Sequence, residues 1–287
     1  MKQRLRTFFA LAIALAAAAC GSGGSDGNGG GSGSGASAQS SSGAGGSTGT
    51  QPPARDLYRP AIKNIVVEID YAPGAEPYTG SVLGFGELWD VFRTNAARLF
   101  QGGGKTIEIP TTLAQMEKLD DVSGADFTPE QILDIAARHR DKLSMGDTAT
   151  FYIVWLDGYY RENGMVLDNV LGVSLGSTGV IAMFKPVIAG TSSGTPGIET
   201  ERYVEQATLV HEFGHAAGLV HNGLDMVSPH EDTAHGHHCS NTDCVMYWTV
   251  EGPSGAIDYV SKALFGNKNI LWGSECLADT DKALASP

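Results

Sequence analysis

The sequence feature that most constrains this chain is the run HEFGHAAGLVH at residues 211–221. On an α-helix, His211 and His215 are one turn apart and project from the same face, so both imidazoles can reach one metal ion. Glu212 follows the first of these histidines and would lie beside the ion, where it could act on a water molecule. The run therefore predicts a helix that presents metal ligands together with an acid–base group.

The surrounding sequence predicts where this helix begins and ends. Residues 201–210 contain no Gly or Pro, and their apolar side chains recur at near-helical spacing, so we expect a helix of roughly 18 residues. Gly218 can adopt positive φ and end the helix, and the turn would bring in His221 as a third ligand. Three nitrogen ligands and one open position are typical of a catalytic zinc site, whereas a structural site is closed by four protein ligands.

In these residues the chain resembles the metzincin metalloproteases, which carry HExxHxxGxxH followed by a turn that contains a methionine. The segment Cys244-Val245-Met246-Tyr247-Trp248 is the candidate for that turn. In metzincins the methionine lies beneath the zinc as an apolar floor, and the resemblance gives this role to Met246. Met226 is the competing candidate, although it follows His221 by only five residues.

The resemblance extends to several metzincin families without selecting one. Cys239 and Cys244 flank the turn as a cysteine pair does in adamalysins, and their spacing to Met246 is also similar to that of archaemetzincins. Archaemetzincins have further cysteines that complete a second zinc site, whereas this chain has only Cys276 beyond the turn. Tyr247 directly follows the methionine, as in matrixins.

The resemblance implies a zinc-dependent endopeptidase that acts on peptides or proteins. Zn²⁺ bound by His211, His215 and His221 would activate water and polarise the scissile carbonyl, and Glu212 would transfer the proton. An extended substrate would pair with an edge strand, for which residues 171–176 and 179–182 are the two candidates. Two alternatives remain open: a catalytically silent zinc-bearing module that binds a peptide or glycan, and a zinc hydrolase of a non-peptide bond.

The N-terminal residues predict export from the cell. A basic start precedes an apolar run that ends at residue 19 and is too short to span a bilayer, which is typical of a signal peptide. Cys20 follows as in bacterial lipoproteins, and residues 20–50 are predicted to be a lipidated cysteine with a Gly/Ser-rich tether. We therefore expect an envelope protein that is anchored to the outer membrane through lipid, with ordinary signal-peptide cleavage and secretion as the alternative.

The acidic composition argues against nucleic acid as a partner. The net charge is −13, and removal of the three basic residues within 1–19 lowers it to −16.

The cysteines near the turn have three possible states. Export permits disulfides, and a Cys239–Cys244 disulfide is the tentative prediction, with Cys276 left free. Pairing of Cys276 with either partner is the second possibility. A bound metal ion is the third, since four histidines crowd the same stretch, although these histidines are more simply interpreted as a solvated loop. They are His230, His235, His237 and His238.

Residues 51–287 are predicted to form one metzincin-like catalytic domain of the α+β class. We expect a mixed twisted sheet, the zinc helix, the methionine turn and a C-terminal helix. The predicted strands are 64–71, 106–109, 150–156 and two short pieces within 170–184, and the predicted helices before the zinc helix are 87–101 and about 128–142.

Overall fold

Two long, buried strands form the centre of a mixed β-sheet. The computed structural model describes residues 51–82, 86–192, 199–266 and 268–286. The strands of the main sheet are β1 (Asn64–Tyr71), β4 (Thr106–Glu108), β5 (Glu117–Lys118), β7 (Thr148–Leu156), β10 (Gly172–Ser174) and β11 (Val180–Phe184). Their order is β10-β11-β7-β1-β4, with β5 paired to the far end of β1. All pairs are parallel except β10 with β11.

Helices cover this sheet, and β1 and β7 are accordingly buried along nearly their whole length. The helices are α1 (Ala54–Leu57), α2 (Asp90–Leu99), α3 (Pro129–His139), α4 (Lys185–Ala189), α5 (Thr200–Ala216), α6 (Pro253–Phe265) and α7 (Ser274–Ala285). Three 3₁₀ turns lie at Leu113–Gln115, Gly176–Thr178 and Trp248–Glu251. Two small sheets complete the described part: β2 (Ser81–Val82) with β3 (Gly86–Glu87), and β6 (Asp126–Phe127), β8 (Tyr159–Glu162) and β9 (Met165–Leu167).

Helix α5 runs through the middle of the described residues and is buried along almost all of its length. Phe213 contacts Phe92 of α2 and Phe151 of β7, with ring centroids 5.2 and 4.7 Å apart. The same helix packs against β10, β11 and α6. Because α5 is enclosed on all sides, polar groups on it lie in a fixed, water-poor environment.

The α+β class predicted from the sequence is confirmed, and β1 has the predicted bounds. The helix predicted at 87–101 is shorter, since Glu87 pairs in β3 and the helix begins at Asp90. The helix expected from 128 begins at Pro129, with Thr128 as its N-cap and Gln131 closing a capping box. The α5 helix spans Thr200–Ala216, one residue short of the predicted length.

The signal peptide, Cys20 and the tether, all within residues 1–50, lie outside the described residues. Among the helices that are described, none combines the length and the apolar character needed to cross a bilayer.

Candidate metal centre

The last two turns of α5 bring His211 and His215 together as the sequence predicted. Their Nε2 atoms are 3.1 Å apart. Two nitrogen ligands of a tetrahedral zinc ion, each bonded at about 2.0–2.1 Å, would be about 3.3 Å apart. The two side chains are therefore positioned to share one ion.

The turn after Cys244 fixes the orientation of the first ring. Nδ1 of His211 lies 2.7 Å from the carbonyl oxygen of Val245, so Nδ1–H donates and Nε2 is left as the free nitrogen. The next residue, Met246, is fully buried, and a Cβ on Gly214 would collide with its sulfur. Met246 thus packs against α5 between the two histidines. Met226, its competitor, is only half-buried.

The third histidine of the cluster is His238, which the sequence analysis did not select. The candidate ligand atoms of His211, His215, His238 and Glu251 all lie within 4.8 Å of one another, and these four residues are called the histidine cluster below. The His238 ring is 5.3 Å from the ring of His211 and 5.0 Å from that of His215. Imidazole nitrogens and a carboxylate oxygen are ligands that zinc accepts, so the donor set fits the predicted cofactor.

His221, the predicted third ligand, lies outside this group of donors in the structure. Gly218 turns the chain as expected, with φ of 92°, but Val220 and His221 also have positive φ, 51° and 61°. The chain consequently leaves α5 in a direction that exposes 55% of the His221 side chain, and its Nδ1 pairs with Glu231 Oε2 at 2.8 Å.

Glu212 is buried between the histidine cluster and the edge of the sheet. Its carboxylate accepts a hydrogen bond from the backbone N–H of Ser174 in β10. Its Cγ lies so close to Gly172 that a Cβ there would approach it to 3.0 Å. Burial, with a smaller effect of the Glu251 charge, raises the pKa of Glu212 to about 8. A cation bound in the histidine cluster would act in the opposite direction.

The protonation states of the cluster follow from burial and from its one carboxylate. Burial lowers the pKa of His211 to about 4, and burial, followed by the positive charge of a protonated His211, lowers that of His215 well below its usual value. Burial also lowers the pKa of His238, but Glu251 and two backbone carbonyl groups outweigh it and raise the value to about 9. The two helix histidines are therefore neutral at physiological pH and ready to act as ligands, whereas His238 must release a proton to bind a cation.

A second group of donors adjoins the methionine turn through Cys239 and Cys244. Ligand atoms of His230, Cys239 and Cys276 lie within 4.8 Å of one another, and Cys244 Sγ is 3.6 Å from Cys276 Sγ. These four residues are called the thiol cluster below. His230 Nδ1 is 3.4 Å from Cys239 Sγ, while its Nε2 is 2.8 Å from the buried carboxylate of Asp279.

The tentatively predicted Cys239–Cys244 disulfide is not formed in this structure, in which Cys239, Cys244 and Cys276 are free and buried. The folded chain brings Cys276 on α7 into the group, so the three sulfur atoms converge instead of closing one short loop. Hydrogen bonds from Cys244 and Cys276 lower the pKa of Cys239, and hydrogen bonds with Cys239 raise the pKa values of Cys244 and Cys276. Such a group could also hold a metal ion.

The sequence analysis missed His238 and Glu251. The crowding of histidines at 230–238 was the available signal, but it was interpreted as a solvated loop, and that interpretation is wrong for His230 and His238, which are buried. Of the two predicted edge-strand segments, the first contains β10, which lies at the end of the sheet, and the second lies in β11, which is paired on both sides.

No family model and no curated protein matches this chain. It is similar to two solved structures, archaemetzincin from Methanopyrus kandleri and a zinc-dependent peptidase from Methanocorpusculum labreanum. The first is 13% identical with a TM-score of 0.44, and the match covers 78% of this chain and 97% of that one. The second is 13% identical with a TM-score of 0.38, covering 75% and 99%. Both TM-scores are below 0.5, and so the function is inferred from the site itself.

Proposed function

We propose that this chain is a zinc-dependent endopeptidase whose general base is Glu212. The observation that carries the proposal is the position of this buried carboxylate. It directly follows a metal-donor histidine, borders the histidine cluster, and contacts the edge strand β10. A group of nitrogen donors alone would suit a structural metal site, but a carboxylate placed between metal donors and a strand edge suits hydrolysis of an extended chain.

The edge strand supports a peptide as the substrate. β10 pairs with β11 on one side, and within the described residues no strand pairs with its other side. An extended peptide can add to such an edge through backbone hydrogen bonds, which require little of the peptide sequence. Gly172 lies next to Glu212 and has no side chain to displace a substrate from this position.

The chemistry divides between the ion and the protein. When bound, Zn²⁺ supplies a Lewis acid that polarises the scissile carbonyl and makes water more acidic. Glu212 accepts the proton of the attacking water and returns it to the leaving amine, so its conjugate acid must form within the cycle. Its buried position favours this, because burial stabilises the neutral carboxyl group. His211 and His215 bind the ion and are held by the rigid core of α5.

The test compares the full-length wild-type chain with its Glu212→Gln variant. Zinc content is measured by elemental analysis, and cleavage is measured on a mixed peptide library by mass spectrometry. We expect zinc in both proteins and a loss of about 10²–10⁴-fold in the rate of cleavage in the variant, which is the usual contribution of general acid–base catalysis. Glu108→Gln is the matched control, because Glu108 is an exposed carboxylate on β4.

Each alternative function has its own outcome in this test. Zinc in both proteins with cleavage in neither would favour a zinc-bearing module that binds a peptide or glycan. Zinc with hydrolysis of esters or other non-peptide bonds, but not of any peptide, would favour a different zinc hydrolase. Full activity in Glu212→Gln would reject Glu212 as the base.

The envelope location is part of the proposal and is supported by the sequence alone. The basic start, the apolar run, Cys20 and the Gly/Ser-rich stretch occur in the order typical of a lipoprotein. The expected result is incorporation of a fatty-acid analogue by wild-type chain expressed in a bacterial host, with none in Cys20→Ser. Equal labelling of the two chains would remove the lipid anchor and leave secretion as the alternative.

A further inference from the structure

We propose that His238 is the third ligand of the metal ion and that Glu251 closes the same site as a fourth ligand, while His221 acts only to position the loop that carries His238. The inference deepens the proposed function, on which it rests for the presence of an ion at His211 and His215. It concerns which residues bind that ion, and so it can be tested by metal binding without reference to peptide cleavage.

The His238 ring is oriented as a metal ligand would be. Nδ1 lies 2.6 Å from the carbonyl oxygen of Gly236 and 3.1 Å from that of His235, so Nδ1–H donates to the backbone. Nε2 is thereby left facing the interior, 2.9 Å from Glu251 Oε1. His211 has the same arrangement, with Nδ1 donating to a carbonyl oxygen and Nε2 free. A hydrogen bond from the far nitrogen is how proteins orient histidines that bind metals.

The loop that carries His238 is anchored at several points. The His235 ring stacks on Trp248 with centroids 4.0 Å apart, and its Nδ1 contacts Asp232 at 2.7 Å. The backbone N–H of Cys239 donates to the carbonyl oxygen of Met246 at 2.8 Å. These contacts tie the loop to the methionine turn and to the 3₁₀ turn that ends in Glu251, so His238 and Glu251 are positioned together.

His221 contacts the loop that carries His238 and not the converging donors. Its Nδ1 is paired with one oxygen of Glu231, and the other oxygen of Glu231 accepts the backbone N–H of His237 at 3.1 Å. His221 therefore stabilises the residue just before His238 through Glu231. Its exposed side chain is absent from the group of four converging donors. The contacts of His221 are those of a positioning residue for the loop.

Glu251 gives the site a property that a three-histidine site lacks. Four protein ligands close a zinc site, whereas hydrolysis needs one position for water or substrate. The Glu251 side chain is 39% exposed and ends a short 3₁₀ turn, so it can leave the cluster without disturbing α5. We infer that Glu251 competes with substrate for the ion and holds the site closed until an anionic or carbonyl ligand displaces it.

The experiment measures zinc and cobalt binding by the full-length protein and by single variants. The variants are His238→Ala, His221→Ala and Glu251→Ala, with His139→Ala as the matched control because it lies on α3 and outside both clusters. Zinc affinity is measured by competition with a chromophoric chelator, and the number of histidine ligands by X-ray absorption. Circular dichroism establishes that each variant is folded.

The expected result is a loss of zinc affinity of at least about 100-fold in His238→Ala, with two histidine ligands remaining. His221→Ala and His139→Ala should keep three. If His221→Ala also weakens zinc, Glu231→Gln should weaken it equally, as expected of positioning through that carboxylate. Two histidine ligands in His221→Ala and three in His238→Ala would overturn the assignment.

The role of Glu251 is tested with acetohydroxamate as the probe, titrated against the cobalt-substituted protein by visible absorption. Glu251→Ala should retain cobalt and bind the hydroxamate at least about 10-fold more tightly than wild type. Equal hydroxamate affinity in the two proteins would overturn the role of Glu251 as a competing ligand. Correct ligand assignments together with no peptide cleavage would instead reject the proposed function and leave this inference standing.

Discussion

The histidine cluster and the thiol cluster both contact the methionine turn, yet their surroundings differ. The histidine cluster combines nitrogen and carboxylate donors, borders Glu212, and lies beside the edge strand β10. The thiol cluster combines three sulfur donors with His230, is buried throughout, and is tied to helix α7. Within the described residues, a base next to metal donors and an adjacent strand edge occur together only at the histidine cluster.

Burial and convergence of donors do not by themselves identify a reactive site. Both clusters contain converging donors that could hold a metal ion. Chemistry on a substrate also needs a proton acceptor and a surface on which the substrate can lie. We therefore expect changes at the histidine cluster to affect turnover first and changes at the thiol cluster to affect stability first.

Metal removal should produce the largest effect, a complete loss of peptide cleavage, and it tests whether the histidine cluster is the reactive one. Treatment with a strong chelator should reduce peptide cleavage to background, and added Zn²⁺ should restore it. The far-ultraviolet circular dichroism should change little, because α5 is held by the packing of Phe213 against Phe92 and Phe151. Cleavage that survives removal of all zinc would show that the histidine cluster is not the reactive site.

A buried carboxyl group in the main sheet makes the free energy of unfolding depend on pH. This contribution must be subtracted before the effects of the two clusters on stability are compared. Asp70 on β1 is buried, and its carboxylate accepts a hydrogen bond from the Tyr152 hydroxyl at 2.7 Å. Burial raises the pKa of Asp70 from 3.8 to about 7, against the opposing effect of that hydrogen bond.

The folded state therefore binds this proton more tightly than the unfolded state does. The stabilisation is fully present below about pH 4 and is lost as the pH rises towards 7. The total is at most about 4 kcal/mol, since one pKa unit corresponds to about 1.4 kcal/mol. Urea unfolding from pH 4 to 8 should show a weaker pH dependence in Asp70→Asn than in wild type. An unchanged slope would assign the dependence to other groups.

The thiol cluster should respond to a conservative change by losing stability. Cys276→Ser places a hydroxyl group among two thiols and His230 in a fully buried position, and we expect a decrease of about 2–3 kcal/mol in the free energy of unfolding. The value of kcat/KM per folded molecule should change less than about 3-fold, since Cys276 does not belong to the histidine cluster. Urea unfolding and peptide cleavage measure the two quantities.

Alkylation without reductant checks the state of the thiols that this prediction assumes. The native protein should resist the reagent, whereas the unfolded chain should be modified at Cys239, Cys244 and Cys276. Modification of Cys276 alone after unfolding would restore the disulfide that the sequence suggested. A large loss of turnover with unchanged stability in Cys276→Ser would reverse the assignment of the two clusters.

Local sequence was sufficient to predict most of the fold. The apolar run at 64–71 and the Thr-Pro start at 128–129 specify a strand and a helix through short-range preferences, and both were found. The pairing of His211 with His215 is equally local, since one helical turn separates them. Their partnership could be predicted without knowledge of the rest of the fold.

The remaining members of the two clusters could not be predicted because their positions depend on contacts that are distant in the sequence. His238 reaches the cluster through backbone hydrogen bonds of its own loop and through the stacking of His235 on Trp248. His221 has the spacing of a metzincin ligand, but the positive φ angles before it and the carboxylate of Glu231 direct it away. Convergence of Cys276 with Cys239 depends on the packing of α7, which spacing in the sequence does not reveal.

The smallest effect is expected at Gly214, where α5 packs against Met246 of the methionine turn that both clusters contact. A Cβ at this position would collide with Met246 Sδ and would lie 2.9 Å from the Trp272 ring. Gly214→Ala should therefore lower the free energy of unfolding by about 1–2 kcal/mol, since overpacking costs about 1–3 kcal/mol and alanine favours a helix over glycine by up to about 1 kcal/mol. Gly252→Ala is the matched control, because a Cβ there would meet no atom within 4 Å.

Because Gly214 lies between His211 and His215, displacement of Met246 should also weaken zinc binding, whereas Cys276→Ser should not. If Gly214→Ala proved as stable as wild type and bound zinc equally well, the methionine turn would be shown to shift enough to accept the added methyl group. The two clusters would then not depend on the exact position of Met246.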